Sequence, residues 1–189
     1  LYNDSVSGPI PPTPTLAMVG TADGNSPGLS LAGEGDLFVV GTAGDALGGS
    51  VYLAHAGGSD AFPALPDADD AATAVETIQA VAAADSTLAV HDVSHGGLAV
   101  ALAEMVTDDV GADVAVEDAV SLFDETPGRV VVETTDEDAL RELAGDVPVV
   151  ALGTTTDDAT LSMSVDDEKL AYGAADVAAL RDVLAHELD

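Results

Sequence analysis

The chain has 189 residues, and 35 Asp and Glu against 4 Lys and Arg leave it with a formal net charge of −31. That excess excludes a direct grip on nucleic-acid phosphates or an anionic membrane surface, both of which need clustered Lys and Arg. Disorder, a common fate of so acidic a chain, is excluded as well, because 47% of the residues are hydrophobic and the mean hydropathy is +0.28, enough apolar surface to offset chain entropy.

The length suits one domain with an appended segment. Cysteine is absent, which removes disulfides, thiolate metal sites and thiol chemistry and agrees with a cytoplasmic setting. No apolar run approaches the ~20 residues that span a bilayer, and no signal peptide is visible. Residues 1–35 carry Pro9, Pro11, Pro12, Pro14 and Pro27 among scattered glycines and read as an extended arm or interdomain linker. Because the chain starts at Leu1 rather than Met, it is expected to be a piece of something longer. The domain proper is expected over residues 36–189.

Leu37 to Val40 is a short apolar strand, the glycine-rich run Gly41 to Ser50 a loop, and Val51 to Ala54 a second strand. Asp67 to Ala84 reads as a helix with acidic residues in its first turn and an apolar stripe of Ala71, Val75, Ile78 and Val81. A buried strand over Leu88 to Val90 leads to an Ala- and Leu-rich helix from Gly97 to Val106. Then follow a strand over Asp113 to Val116, a helical turn over Asp118 to Phe123, a strand over Arg129 to Glu133 and a helix over Asp136 to Leu143. Strands over Val147 to Leu152 and Leu161 to Val165 and a helix over Asp176 to Leu188 complete the chain. Strands and helices are intermixed without strict alternation, which predicts an α+β fold: a mixed β-sheet flanked by helices.

Three segments hold residues suited to chemistry. His91-Asp92-Val93-Ser94-His95-Gly96-Gly97 crowds polar residues between a buried strand and an apolar helix, and such a turn points backbone N–H groups at an anion while its glycines admit a ligand or another chain segment. Asp92 and Ser94 serve equally well as caps of the helix. His91 and His95 straddle the turn, so a two-His metal site is weakly supported. Gly48-Gly49-Ser50 ends a glycine-rich turn that can donate N–H groups to a phosphate or be a plain hairpin loop; without a following lysine it is not a nucleotide P-loop. Arg129, one of four cations, follows the Pro127-Gly128 turn and either pairs with Asp124 or Glu125 or contacts an anion.

In order along the chain, four segments resemble the carboxy-terminal domain of phosphoribosylformylglycinamidine synthase. They are Gly35 to Gly41, Leu47 to Leu53, His91 to Met105 and Leu122 to Val132. Leu1-Tyr2-Asn3-Asp4 and Ile10 to Pro14 resemble the segment just before that domain. The resemblance implies a fold like the C-terminal domain of aminoimidazole ribonucleotide synthetase, partly ferredoxin-like. It also implies a part in a ligase of purine biosynthesis, which converts formylglycinamide ribonucleotide, ATP and glutamine-derived ammonia to the amidine, ADP and phosphate with Mg2+. This chain would supply a cleft wall beside an ATP-site domain of the same full-length polypeptide, in a complex with glutaminase and small subunits, and would be inactive alone.

Gly48, Gly49, Ser50 and Asp92 are the wall residues the resemblance implies, with Ser94, Gly96, Gly97 and Arg129 as further substrate- or phosphate-binding candidates. His95 stands where the family usually carries Asp, which removes a carboxylate from that turn. A noncatalytic interface or structural-nucleotide domain, or another superfamily member such as aminoimidazole ribonucleotide synthetase or a selenophosphate synthetase-like protein, is the alternative.

The composition itself points to a solvent. Twenty-five of the 35 acidic residues are Asp, and Lys169 is the single lysine, a pattern that resembles cytoplasmic proteins of salt-accumulating halophilic archaea. Two like charges ~10 Å apart in water repel by about 0.4 kcal/mol, and molar salt, with a Debye length of ~3 Å, removes most of that repulsion.

Overall fold

The computed structural model describes residues 3–5, 8–10, 16–17, 19–21, 24–166 and 168–181. The short strands β1 (Asn3–Ser5) and β2 (Gly8–Ile10) pair with each other. The main body begins at β3 (Asp36–Val40), followed by α1 (Val51–Ala56), α2 (Ala68–Ala83), β4 (Thr87–Asp92), α3 (Gly97–Met105), β5 (Gly111–Val116), α4 (Ala119–Phe123) and β6 (Val130–Thr134). After these come α5 (Glu137–Ala144), β7 (Val149–Thr156), β8 (Thr160–Val165), β9 (Glu168–Gly173) and α6 (Ala174–Arg181). The expected closing helix reaches Arg181 in these residues, and its remainder to Leu188 lies outside those described, as do Leu1, Tyr2 and Pro11 to Pro14.

Among the described residues, β3 to β9 form one sheet in the order β4-β6-β3-β7-β5-β8-β9. All neighbours are antiparallel except β5 and β8, which run parallel. The fold is α+β with a mixed sheet.

The central strands are continuously apolar because both of their faces are covered. Leu37, Val39 and Val131 point to the face closed by α3, where Leu98, Ala101, Leu102 and Met105 fill the larger core. Phe38, Val40, Val130 and Val132 point the other way and meet Val81 of α2 and Leu140 of α5. Asp67, Asp118 and Asp136 cap α2, α4 and α5 by accepting backbone N–H bonds from the first turns, the expected role of Asp at that position.

Three local expectations are corrected. Val51 to Ala54 is not a strand but most of α1, because β3 already has β6 on one side and β7 on the other and offers no edge for a hairpin partner. Ser50 caps that helix through an Oγ that accepts from the Leu53 N–H, and Gly57 ends it at φ +75°. On α2 the buried stripe is Thr77 and Val81, with Ala71, Ala74 and Ile78 half-buried; Val75 is 54% exposed. β9 has no counterpart in the expected elements, since Glu168 and Lys169 open a polar edge strand without an apolar run.

The residues just ahead of β3 are tied to the sheet. The Val90 N–H donates to the Gly28 carbonyl, Leu31 is buried, and the N–H groups of Ala32, Gly33, Glu34 and Gly35 all donate to the Glu133 carboxylate.

Candidate functional site: three turns at one sheet end

Strand register brings the three candidate segments to one end of the sheet. Val130, the first residue of β6, lies opposite Val40 on one side and Asp92 on the other. The Gly41–Ser50 connection, the Asp92–Gly96 turn and the 124–129 turn therefore leave the sheet side by side.

The 124–129 turn is the hub. Asp124 and Arg129 form a buried ion pair, Nη2–Oδ2 2.9 Å, and the remaining valences of the Asp124 carboxylate are filled locally. Its Oδ2 also accepts from the Gly44 N–H at 2.8 Å, and Oδ1 accepts from the Thr126 N–H and hydroxyl at 2.9 and 2.6 Å. Arg129 donates in turn to the carbonyls of Asp124 and Thr126. Burial pushes the guanidinium below its ordinary value, with Asp124 opposing the shift. Of the two roles open to Arg129, the structure realises the pairing with Asp124.

Glu125 extends the hub in the opposite direction. One oxygen, Oε1, accepts from the Val51 N–H at the start of α1 and from the Gly96 N–H ahead of α3, both at 2.8 Å. Sequence reasoning weighed Glu125 only as a partner for Arg129. Nothing local signals its role, because its partners lie 74 and 29 residues away.

The Asp92 turn differs from its capping alternative. Gly96 is the N-cap of α3 in the left-handed region, with no side-chain capping bond. The Ser94 hydroxyl donates to Asp92 Oδ2, and the Asp92 side chain is 68% exposed. Gly97, at φ +66°, has no room for a side chain: a Cβ there would lie 2.8 Å from the Leu122 carbonyl oxygen and 2.9 Å from that of Asp124. The close approach at Gly97 is thus made by the chain itself. His91 turns away, with Nε2 3.5 Å from Glu104 Oε2, while His95 is exposed in the turn. Among the described residues, no group of three or more His, Asp or Glu is arranged to hold a metal ion.

The Gly48-Gly49-Ser50 turn is likewise packed by its own chain. The Gly48 N–H donates to the Ala61 carbonyl at 2.8 Å, and a Cβ on Gly48 would sit 2.2 Å from that oxygen. Asp60 accepts from the Leu47 N–H through Oδ2 and from the Ala61 N–H through Oδ1. These two bonds hold the Asp60 carboxyl below its ordinary range. Phe62 lies against Gly49 yet stays 79% exposed. Between this segment and the hub is an open cavity of about 430 Å³ lined by Gly48, Gly49, Ser50, Phe62, Glu125 and Pro127. A larger cavity of about 830 Å³ lies beyond the hub, walled by Thr42, Leu65, Ala74 and Pro127 and rimmed by Asp45, Asp70 and Asp146.

Known proteins share both sequence and fold with this chain. The chain is 58% identical over its whole length to the phosphoribosylformylglycinamidine synthase subunit PurL of Natronomonas pharaonis, of which it covers 27%. It is 57% identical, again over its whole length, to that of Halobacterium salinarum, of which it covers 26%. It thus spans about a quarter of the length of the curated relatives it matches. Structures of Thermotoga maritima PurL complexed with FGAR and with ATP share the fold at TM-scores of 0.64 and 0.62 and identities of 16% and 15%. Each alignment covers 82% of this chain, and 29% and 27% of the respective structures. Residues 33–166 match the AIR synthase related protein C-terminal domain, and the chain belongs to that family.

Proposed function

We propose that this chain is the C-terminal domain of a phosphoribosylformylglycinamidine synthase and forms one wall of its substrate cleft. The single observation that carries the reading is identity of 57–58% along the whole chain to PurL subunits, and the convergence of three turns at one sheet end supports it. The reaction joins formylglycinamide ribonucleotide and ammonia at the expense of ATP: the amide oxygen takes the γ-phosphoryl group, ammonia adds to that carbon, and phosphate leaves with the oxygen. Binding the anionic ribonucleotide falls to the exposed edges of the Gly48–Ser50 and Asp92–Gly97 turns. Arg129 acts behind them by holding Asp124.

Mg2+ and most ATP contacts are assigned to the ATP-site domain of the longer polypeptide, as the family resemblance implies. A glutaminase subunit supplies the ammonia within a complex that also contains a small subunit, and the setting is a cytoplasm of high salt. A second reading, in which the turns only shape an interface, draws support from the packing of residues 60–62 against Gly48 and Gly49.

The test uses the full-length polypeptide in molar KCl, with ADP release followed as ribonucleotide and ammonia are varied. Ser94→Asp adds a charge at an exposed position and raises KM for the ribonucleotide several-fold if the wall reading is right. An unchanged KM supports the interface reading, and no ribonucleotide-dependent ADP release defeats both.

A further inference from the structure

We propose that Glu125 is the positioning residue that sets the two turns of the cleft wall against each other; the inference rests on the reading of those turns as a substrate wall. Oε1 is the common acceptor for the first N–H of α1, at Val51, and for the N–H of Gly96, the N-cap of α3. Among the described residues, no other hydrogen bond joins the two turns directly. Both are otherwise fastened to the hub or to their own neighbours: Gly44 to Asp124, Val93 to the Arg129 carbonyl, Gly48 to Ala61. One carboxylate oxygen is therefore the direct tie between the Gly48–Ser50 turn and the Asp92–Gly97 turn, added to their separate attachments to the hub. A bound phosphate that contacts both needs their spacing to within a few tenths of an ångström, since each N–H bond weakens steeply outside about 2.7–3.2 Å.

The arrangement separates positioning from folding. Tyr52, the next residue of α1, stacks on Phe123 with ring centroids 4.4 Å apart and an interplanar angle of 17°, so α1 stays docked on α4 without Glu125. The buried pair beneath, Asp124 with Arg129, does not touch the Glu125 side chain. Because both bonds go to a single oxygen, the neutral carbonyl oxygen of Gln can replace it. Asp, one methylene shorter, cannot span the same gap, and Ala removes the acceptor.

The experiment reads the full-length polypeptide carrying Glu125→Ala, Glu125→Asp, Glu125→Gln and, as an exposed-carboxylate control, Glu117→Ala. Amide exchange at Val51 and Gly96 is expected to quicken about tenfold or more in the Ala and Asp variants, with Gly44, held by Asp124, unchanged. In the same variants KM for formylglycinamide ribonucleotide rises about tenfold while kcat stays within about threefold, the signature of lost uniform binding. Glu125→Gln and Glu117→Ala keep wild-type values for both readouts. Unchanged exchange at Val51 and Gly96 in Glu125→Ala overturns the clasp. Quickened exchange with an unchanged KM overturns its service to the substrate wall. A wild-type polypeptide that fails to turn over the ribonucleotide overturns the functional reading instead, and the exchange rates then still report the clasp.

Discussion

Glu133, wholly buried in β6, closes its carboxylate on the N–H of Gly33, one hundred residues earlier in the chain, at 2.9 Å. Ala32, Glu34 and Gly35 donate to the same carboxylate at 2.7 to 3.2 Å. Four aligned donors compensate the cost of removing a charge from water, which a single neutral partner would not do. Gly35 also has no space for a Cβ, which would lie 2.6 Å from the Thr134 carbonyl oxygen. The chain entering β3 is thereby fixed at its approach to the sheet.

Glu133→Gln keeps the shape and can leave a carbonyl oxygen facing Gly33, Glu34 and Gly35, but it loses the charge and turns an NH2 group toward the Ala32 N–H. We expect a loss of about 2 kcal/mol or more in urea unfolding, with faster amide exchange at Ala32 to Gly35. Exchange that stays slow there means the segment is held by Leu31 and Gly28 alone.

Removing Asp124 strands a buried guanidinium. Asp124→Ala should destabilise the fold by about 3–5 kcal/mol, whereas Glu137→Ala, which breaks the exposed pair with Arg141 on α5, should cost less than about 1 kcal/mol. Urea unfolding at fixed KCl checks both, and equal losses would contradict the burial argument.

Gly97 and Gly145 isolate packing from backbone conformation. Both have positive φ, +66° and +57°, but a Cβ at Gly145 meets nothing within 4 Å while one at Gly97 meets three backbone atoms under 3 Å. Gly145→Ala, at φ +57° and ψ −117°, is expected to cost about 1–3 kcal/mol through conformation alone. Gly97→Ala should exceed it by roughly 1–3 kcal/mol from forced displacement of the 122–124 backbone.

Acid should release the segment that covers the Gly48 turn. The Asp60 carboxyl is held below its ordinary value by the N–H groups of Leu47 and Ala61. Its contribution is therefore full above the ordinary Asp value of ~3.9 and fades as pH falls through the lower folded value. The Leu47 amide shift, followed by NMR, should stay flat above the ordinary value and move below it. In Asp60→Ala the low-pH position should appear at neutral pH.

The charge of −31 predicts stabilisation by salt. Raising KCl from 0.1 M to 1 M shortens the Debye length from ~10 to ~3 Å. If about 3 kcal/mol of repulsion is relieved, Tm rises by roughly 6–12 °C for a chain this long. A flat thermal melt across that range would refute the halophilic reading of the composition.

Much of this fold is legible in the residue order. Val-rich runs became β3, β6 and β7, and Asp at 67, 118 and 136 began α2, α4 and α5, because strand packing and N-capping are local preferences that a short window records. The Asp124–Arg129 pairing was also foreseeable as one of two alternatives, since few cations compete and the spacing is short. Position in the sheet decided the rest. Val51 to Ala54 has a strand-like composition, but with β3 flanked on both sides only the helix between Ser50 and Gly57 remained. Glu168 and Lys169 entered β9 because β8 offered an open edge. The space beside Gly48 and Gly49 was filled by Ala61 and Phe62, and Glu125 found acceptor duty between two turns far from it in sequence. Composition and spacing describe what a segment prefers, whereas these four outcomes depend on which groups the folded chain brings within hydrogen-bond reach.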